Sequence, residues 1–191
     1  MSDASAAIET ERLRLRPLQP DDLERHHAAI GSDAGVTWDH RVRTRTNSAE
    51  VLDRRVRHWK DHGFGFWAVE WRATGEFLGE AGLQHFDGTS DVEVGYYLGR
   101  RAWGRGVATE AGRYALGHGF ATLGLERIVA VVRPENDASK RVLAKLGLRF
   151  RGLEDHYGVD GVELWDCGAR RLARVSGRGR RAGAAVRATR R

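Results

Sequence analysis

Residues 96–108, Tyr-Tyr-Leu-Gly-Arg-Arg-Ala-Trp-Gly-Arg-Gly-Val-Ala, constrain the fold more than any other part of the chain. An aromatic strand pattern runs into a basic loop, and a helical pattern follows from Thr109. Gly104 and Gly106 lack a Cβ, so backbone N–H groups can approach an oxyanion there, and a helix start adds unpaired donors and a positive dipole end. The segment therefore predicts a strand–loop–helix unit that holds a diphosphate.

Two common phosphate motifs are absent from this loop. No glycine follows Gly106 at the spacing of a dinucleotide-binding GxGxxG, and the chain has no GxxxxGK[ST]. A second motif lies at 136–150, Asn-Asp-Ala-Ser-Lys-Arg-Val-Leu-Ala-Lys-Leu-Gly-Leu-Arg-Phe. The two motifs resemble those of the Gcn5-related N-acetyltransferases, and in particular the RimJ/RimL-like branch that acetylates ribosomal-protein N-termini. The resemblance covers roughly residues 8–169; Trp103 replaces the Gln or Arg that usually opens the loop motif.

This resemblance implies an α+β fold with a mixed, mostly antiparallel sheet of about seven strands and about four helices. The strand pair 92–98 and 128–133 would be parallel and splayed. Acetyl-CoA would be the co-substrate, and its acetyl group would pass by direct attack to a primary amine in a ternary complex. The amine could belong to a protein N-terminus, an amino acid, a polyamine or an aminoglycoside.

The coenzyme residues follow from the resemblance. Backbone groups of Tyr96, Tyr97 and Leu98 would hold the thioester end, and the diphosphate would lie on Trp103, Gly104, Arg105, Gly106, Val107 and Ala108. Asn136 would bind the pantetheine, although an asparagine there is also a good turn or helix N-cap residue. Many family members protonate the leaving thiolate with a tyrosine at the position of Leu143, so Ser139 is the remaining candidate near the sulfur.

Two glutamates compete as the general base that accepts the proton of the amine. Strand alternation from Val92 places Glu93 on one face with Gly95 and Tyr97, opposite Tyr96. Glu80, on the preceding strand, lies where the family often has its base. Either residue could instead be a solvated strand-edge glutamate, and geometry must decide.

Acceptor contacts are expected from Trp38, His156 and Tyr157. The eight histidines are scattered without an HExxH or Cys/His spacing, so no metal site is expected. The mildly acidic body would favour a cationic amine, although an averaged surface charge says little about one pocket.

Charge is unevenly distributed along the chain. The net charge is +6, yet residues 170–191 hold nine arginines and no acid, which leaves the rest at −3. We expect a flexible N-terminus (1–7), an acetyltransferase domain (8–169) and a disordered tail (170–191). The tail could contact RNA phosphates, but a solvated extension is the simpler interpretation. A non-enzymatic acyl-CoA-binding or RNA-associated protein is the alternative function.

The single Cys167, the lack of an apolar run of eighteen residues and the lack of a signal peptide favour a cytoplasmic protein without membrane insertion. A homodimer is a candidate assembly, because dimers are common in the resembled branch. Helices are predicted from Pro20 to about Ile30 and from a capping box at Asn47 to Gly63.

Overall fold

The computed structural model describes residues 7–86 and 88–169 and contains one eight-stranded sheet. The strands lie in the order β1-β2-β3-β4-β5-β6-β8-β7. They are β1 (Ile8–Glu9), β2 (Leu13–Pro17), β3 (Phe66–Trp71), β4 (Phe77–His85), β5 (Val92–Leu98), β6 (Arg127–Val132), β7 (Arg149–His156) and β8 (Val159–Gly168). The prediction of a mostly antiparallel mixed sheet is confirmed. The strand beyond the expected seven is β1, which is too short to show alternation in the sequence.

The one parallel pair, β5 with β6, separates along its length. Val92 is opposite Ile128 and Glu93 is opposite Val129, and no later residues of these two strands are registered with each other. On their outer sides β5 pairs with β4 and β6 pairs with β8. The backbone that β5 and β6 turn toward each other after Glu93 therefore lines an open cleft.

Within residues 7–86 and 88–169, four α-helices accompany the sheet, as expected. They are α1 (Leu23–His26), α2 (Arg45–His62), α3 (Val107–Ala121) and α4 (Asp137–Leu146). A 3-10 turn (Pro20–Asp22) and a π-helical turn (His27–Gly31) extend α1 at its two ends.

The predicted start of α2 at a capping box on Asn47 is wrong, because the helix begins at Arg45. Thr44 is the N-cap, and its hydroxyl accepts a hydrogen bond from the Asn47 amide at 3.1 Å. Ser48 is buried and bonds His27. The predicted end at Gly63 is correct, since this residue has φ +73°, which favours glycine.

The apolar core lies on both faces of the sheet. The larger cluster joins the inner side of α3 to β2, β4, β5 and β6, with Ala111, Ala115 and Leu116 fully buried. Gly112 lets α4 approach, because a Cβ there would lie 2.7 Å from Leu146. A smaller cluster packs Leu52 of α2 on Phe66 and Ala68 of β3. The helices on the two faces thus hold β4 and β5 from either side.

Within 7–86 and 88–169 no helix is long and apolar enough to cross a membrane. The arginine-rich tail (170–191) and the expected flexible N-terminus (1–7), apart from Ala7, lie outside the described residues.

Candidate active site

The cleft between β5 and β6 is one of two adjoining cavities. Its walls are β5 residues 93–97, β6 and the following residues 130–133, and the start of α4. Of the three β5 residues predicted to hold the thioester end, Tyr96 and Tyr97 line it, whereas Leu98 does not. The Leu98 side chain is in the core, and its carbonyl accepts the indole N–H of Trp103 at 2.6 Å. The cleft therefore places unpaired strand backbone beside an elongated space.

The hydroxyl groups of Tyr96 and Ser139 meet across this cleft, with their oxygens 2.7 Å apart. Burial raises the pKa of Tyr96 to about 12, so its phenol keeps its proton at neutral pH. Leu143 is buried in the same wall and offers no proton. The Tyr96 side chain therefore lines the site, whereas the sequence predicted a role only for the Tyr96 backbone.

Asn136 acts as the N-cap of α4 and also lines the cleft. Its Oδ1 accepts the Ser139 amide at 3.0 Å, which is the capping geometry considered from the sequence. The carboxamide NH2 group faces no partner among the described residues. Capping and a ligand contact are therefore compatible at this residue.

The glycine loop runs from the end of β5 to the start of α3. Gly104 and Gly106 both have left-handed backbone, at φ +71° and +78°. Gly106 is the N-cap of α3, and no described side chain caps this helix start. The first-turn amides of Val107 and Ala108 thus have no partner within the helix. The loop presents the donors that a diphosphate requires.

Arginines near the loop are largely engaged elsewhere. Arg100 pairs with Asp33, its Nη2 lying 3.0 Å from Oδ1, and its guanidinium lies over the Trp103 ring. The Arg105 guanidinium lies 4.7 Å from the Trp71 ring centroid. The backbone and the helix end, rather than free guanidinium groups, make the loop suited to anions.

A second cavity, of about 230 Å³, lies between α2 and the strands β4 and β5. Glu80 lines it but is in contact with Arg55 and His26. Its carboxylate accepts hydrogen bonds from Arg55 Nε at 3.1 Å and His26 Nε2 at 3.1 Å, and Arg55 Nη2 lies 3.0 Å from Oε1 in the same ion pair. Burial alone would raise the pKa of Glu80, but the Arg55 charge and these hydrogen bonds outweigh it and hold the pKa at about 2. A carboxylate of such low basicity is a poor proton acceptor.

Glu93 is equally buried but has no cation in contact. The Tyr157 hydroxyl donates to its Oε2 at 2.5 Å, and Gln84 Nε2 donates at 2.9 Å. Burial raises the pKa of Glu93 above its usual value, although these hydrogen bonds act in the opposite direction. Of the two glutamates, Glu93 has the basicity nearer to that of a working general base.

The two cavities meet at the residues that line both of them, Trp38, Glu93 and Tyr97. Tyr157 lines the second cavity in a strained backbone conformation at φ +55°. His156 lines neither cavity in the described chain; it bonds Glu154 at 2.9 Å and packs on Phe86. The structure therefore gathers Trp38 and Tyr157 with Glu93, and leaves His156 apart.

The polar residues that α2 and the segment just before it contribute were not predicted from the sequence. Arg55 bonds both Glu80 and Gln84, so it connects the two glutamates through Gln84. Arg43 and Arg54 also line the second cavity. The only signal in the sequence was a run of arginines on this predicted helix. The side of the helix that faces the cavity could not be predicted before the start of the helix was known.

Comparison with known proteins agrees with this geometry. Residues 12–149 match the family model described as acetyltransferase (GNAT) domain. The chain is 32% identical over 151 residues to YkkB of Bacillus subtilis, an uncharacterised protein, covering 78% of this chain and 88% of that protein. It is 26% identical over 143 residues to the spermidine N(1)-acetyltransferase of Escherichia coli, covering 73% and 74%.

Among solved structures, RimJ of Mycobacterium smegmatis in complex with CoA-disulfide superposes with a TM-score of 0.65 at 26% identity, covering 88% of this chain and 90% of that one. Of these three names only that of the Escherichia coli protein states an acceptor, so they support the family and do not distinguish the RimJ/RimL-like branch. The family model, the YkkB match and the splayed strand pair agree: the chain belongs to the acetyltransferase (GNAT) family and is an acetyltransferase.

Proposed function

We propose that the protein transfers the acetyl group of acetyl-CoA directly to a primary amine, with Glu93 as the proton acceptor. The observation that carries this proposal is the position of Glu93 at the junction of the two cavities. A thioester held in the β5–β6 cleft and an amine held in the second cavity would meet beside this carboxylate. A binding module that only sequesters acyl-CoA has no need of a buried carboxylate at that point.

The coenzyme would lie along the cleft with its diphosphate on the loop 103–108. Unpaired backbone groups of β5 beyond Glu93 would bind the pantetheine arm and polarise the thioester carbonyl. Asn136 would donate through its free carboxamide NH2. Most of these contacts would use groups that have no partner among the described residues.

The transfer then requires deprotonation of the amine, cleavage of the carbon–sulfur bond and stabilisation of the leaving sulfur. The amine loses a proton to Glu93, directly or through a water, and attacks the thioester carbon. The tetrahedral intermediate then collapses with cleavage of the carbon–sulfur bond, and the second proton that the nitrogen must lose passes to the departing sulfur, so CoA leaves as the thiol. Tyr96 would donate a hydrogen bond to the departing thiolate, with its hydroxyl oriented by Ser139. This contact takes the place of the tyrosine that many family members have at position 143.

We infer further that the acceptor carries an anionic group near its amine. The second cavity has three arginines against two glutamates, and Arg55 is already paired with Glu80. Arg43 and Arg54 form no ion pair with any described residue. The local charge is thus opposite to the expectation of a cationic acceptor from the body of the chain. An acidic amino acid, or a protein N-terminus followed by an acidic residue, would fit this charge.

A paired acceptor panel tests both parts of the proposal. Thiol release from acetyl-CoA is measured with Ala-Asp against Ala-Asn, with glutamate against glutamine, and with spermidine. The acidic member of each pair should have about tenfold higher kcat/KM, since two partly exposed ion pairs contribute about 1 kcal/mol each at most. Arg43→Met with Arg54→Met should remove that preference, whereas Arg57→Met, which pairs with Asp53 on the exposed side of α2, should keep it.

The possible results distinguish amine acetylation in general from the preference for an anionic acceptor. A preference for spermidine would refute the anionic acceptor and leave amine acetylation standing. Absence of thiol release with every amine, in a protein that binds acetyl-CoA, would refute the proposed acceptor chemistry as a whole.

A further inference from the structure

Three histidines from two elements converge on the side of α2 next to the end of β4. His58 and His62 are four residues apart on α2, so they lie on the same face one turn apart. His85 is the last residue of β4. The ring centroids are 4.6 Å apart for His58 and His62, 4.6 Å for His62 and His85, and 5.5 Å for His58 and His85. This cluster is separate from the two cavities of the active site.

We propose that His58, His62 and His85 form a binding site for a divalent transition-metal ion such as Zn²⁺. One ring nitrogen of each residue lies within 4.8 Å of one nitrogen of each of the others. Nitrogens bound to Zn²⁺ at about 2.0–2.1 Å in tetrahedral geometry lie about 3.4 Å from one another, so an approach of up to about 1.4 Å is needed. His62 and His85 are exposed and can rotate to supply it.

His58 is already oriented as metal-bound histidines usually are. Its Nδ1 lies 2.8 Å from the Phe64 carbonyl oxygen, which can only accept, so Nδ1 carries the proton. The Nε2 lone pair is then directed toward the cluster, where it accepts the His85 amide over a long 3.3 Å. A backbone carbonyl bound to the distal ring nitrogen fixes the tautomer and raises ligand basicity in metal sites. The weak amide contact is the bond that a metal would displace.

The surroundings of His58 favour its neutral imidazole, the form that binds a metal. Burial lowers the pKa of His58, and the neighbouring His62, His85 and Arg55 lower it further. Three imidazoles leave a fourth tetrahedral position for water, and imidazole is a good ligand for Zn²⁺, Co²⁺, Ni²⁺ and Cu²⁺. Bound metal would link the C-terminal end of α2 to the end of β4. The same two elements contribute Arg55 and Gln84 to the lining of the second cavity.

The test uses the full chain without an affinity tag and Zn²⁺ alone as the ligand. Isothermal titration should give one Zn²⁺ per chain at micromolar or tighter affinity for the wild type. His62→Ala and His85→Ala should each weaken binding at least tenfold. Asp61→Ala, an exposed acid on the same helical turn outside the cluster, should leave the affinity unchanged.

Two further readouts do not depend on acetyl transfer. Zn²⁺ should raise the Tm of the wild type and of Asp61→Ala, and should not raise the Tm of His62→Ala. Co²⁺ should develop the intense visible bands of four-coordinate geometry only when all three histidines are present. Stoichiometric binding that survives both histidine variants would assign the metal to other residues and overturn the proposal. So would a wild type that binds no Zn²⁺ at micromolar concentrations.

Discussion

At the scale of single residues, the two glutamates that line the second cavity differ in what surrounds them. Glu80 contacts a guanidinium and an imidazole, whereas Glu93 contacts a phenol and an amide. Strand alternation predicted that Glu93 and Tyr97 share a face, and the structure agrees. The difference between Glu80 and Glu93 could not be predicted, because it depends on Arg55 and His26, which come from other elements.

We expect Glu80→Gln to affect stability more than turnover. Loss of the carboxylate leaves Arg55 buried without its ion-pair partner, which should cost about 3 kcal/mol in the free energy of unfolding. The native pKa of about 2 lies below the usual value, so the stabilisation is present above the unfolded-state pKa and is lost as pH falls toward 2. Urea unfolding at pH 7 and at pH 3 should show a smaller difference between wild type and variant at pH 3. An equal difference at both pH values would contradict the charge-based explanation.

Tyr96→Phe removes the hydroxyl that faces Ser139 and leaves the ring in place. We expect turnover to fall about ten- to a hundredfold while the KM for acetyl-CoA changes little, because one hydrogen bond to a charged group is worth about 1.5–3 kcal/mol. Ser139→Ala should cost less, since it affects the orientation of the phenol alone. Steady-state kinetics of both variants decide this. A larger loss in Ser139→Ala would instead make the serine the direct donor to sulfur.

At the scale of elements, the strand–loop–helix unit was predictable because all its parts are adjacent in sequence. Gly106 caps α3 and β5 ends at Leu98, as the local pattern indicated. The start of α2 was not predictable from the capping box, because Thr44 competes with Asn47 for the same role. The histidine cluster was also missed, since His85 approaches α2 only after β4 has paired in the sheet.

The loop provides the sharpest test at this scale. Gly106→Glu should weaken acetyl-CoA binding at least 100-fold, because it places a negative side chain where the diphosphate would lie. Gly75→Glu is a matched control: Gly75 has φ +71° in the turn between β3 and β4, so it bears the same backbone strain and charge elsewhere. Titration calorimetry with acetyl-CoA measures both variants. Equal affinities in two folded proteins would refute the assignment of the loop.

At the scale of the whole molecule, the charge of the chain and the charge of its sites are distinct. The net charge of +6 comes from the arginines after residue 169, and the second cavity has its own excess of arginine over glutamate. The overall composition predicted the net charge of the chain and did not predict the charge of the cavity. A cavity is assembled from a few residues of several elements, so an average over the chain cannot describe it.

Deletion of residues 175–191 should leave the Tm and the KM for acetyl-CoA within error of the full chain. The segment has no apolar periodicity that would pack on the domain. Differential scanning calorimetry and steady-state kinetics compare the two proteins. A fall of several degrees in Tm would show that the tail packs on the domain.

The position of Glu93 at the junction of the two cavities is the central feature of the proposed mechanism, and a pH–rate profile of kcat tests it most directly. Glu93→Gln keeps the shape and hydrogen-bonding oxygen of the side chain but removes the base, so turnover at neutral pH should fall about 100-fold or more. The deficit should shrink as pH rises and the amine becomes neutral without help. Wild-type and Glu93→Gln profiles that rise in parallel with the free amine fraction, at similar rates, would contradict a role for Glu93 as base.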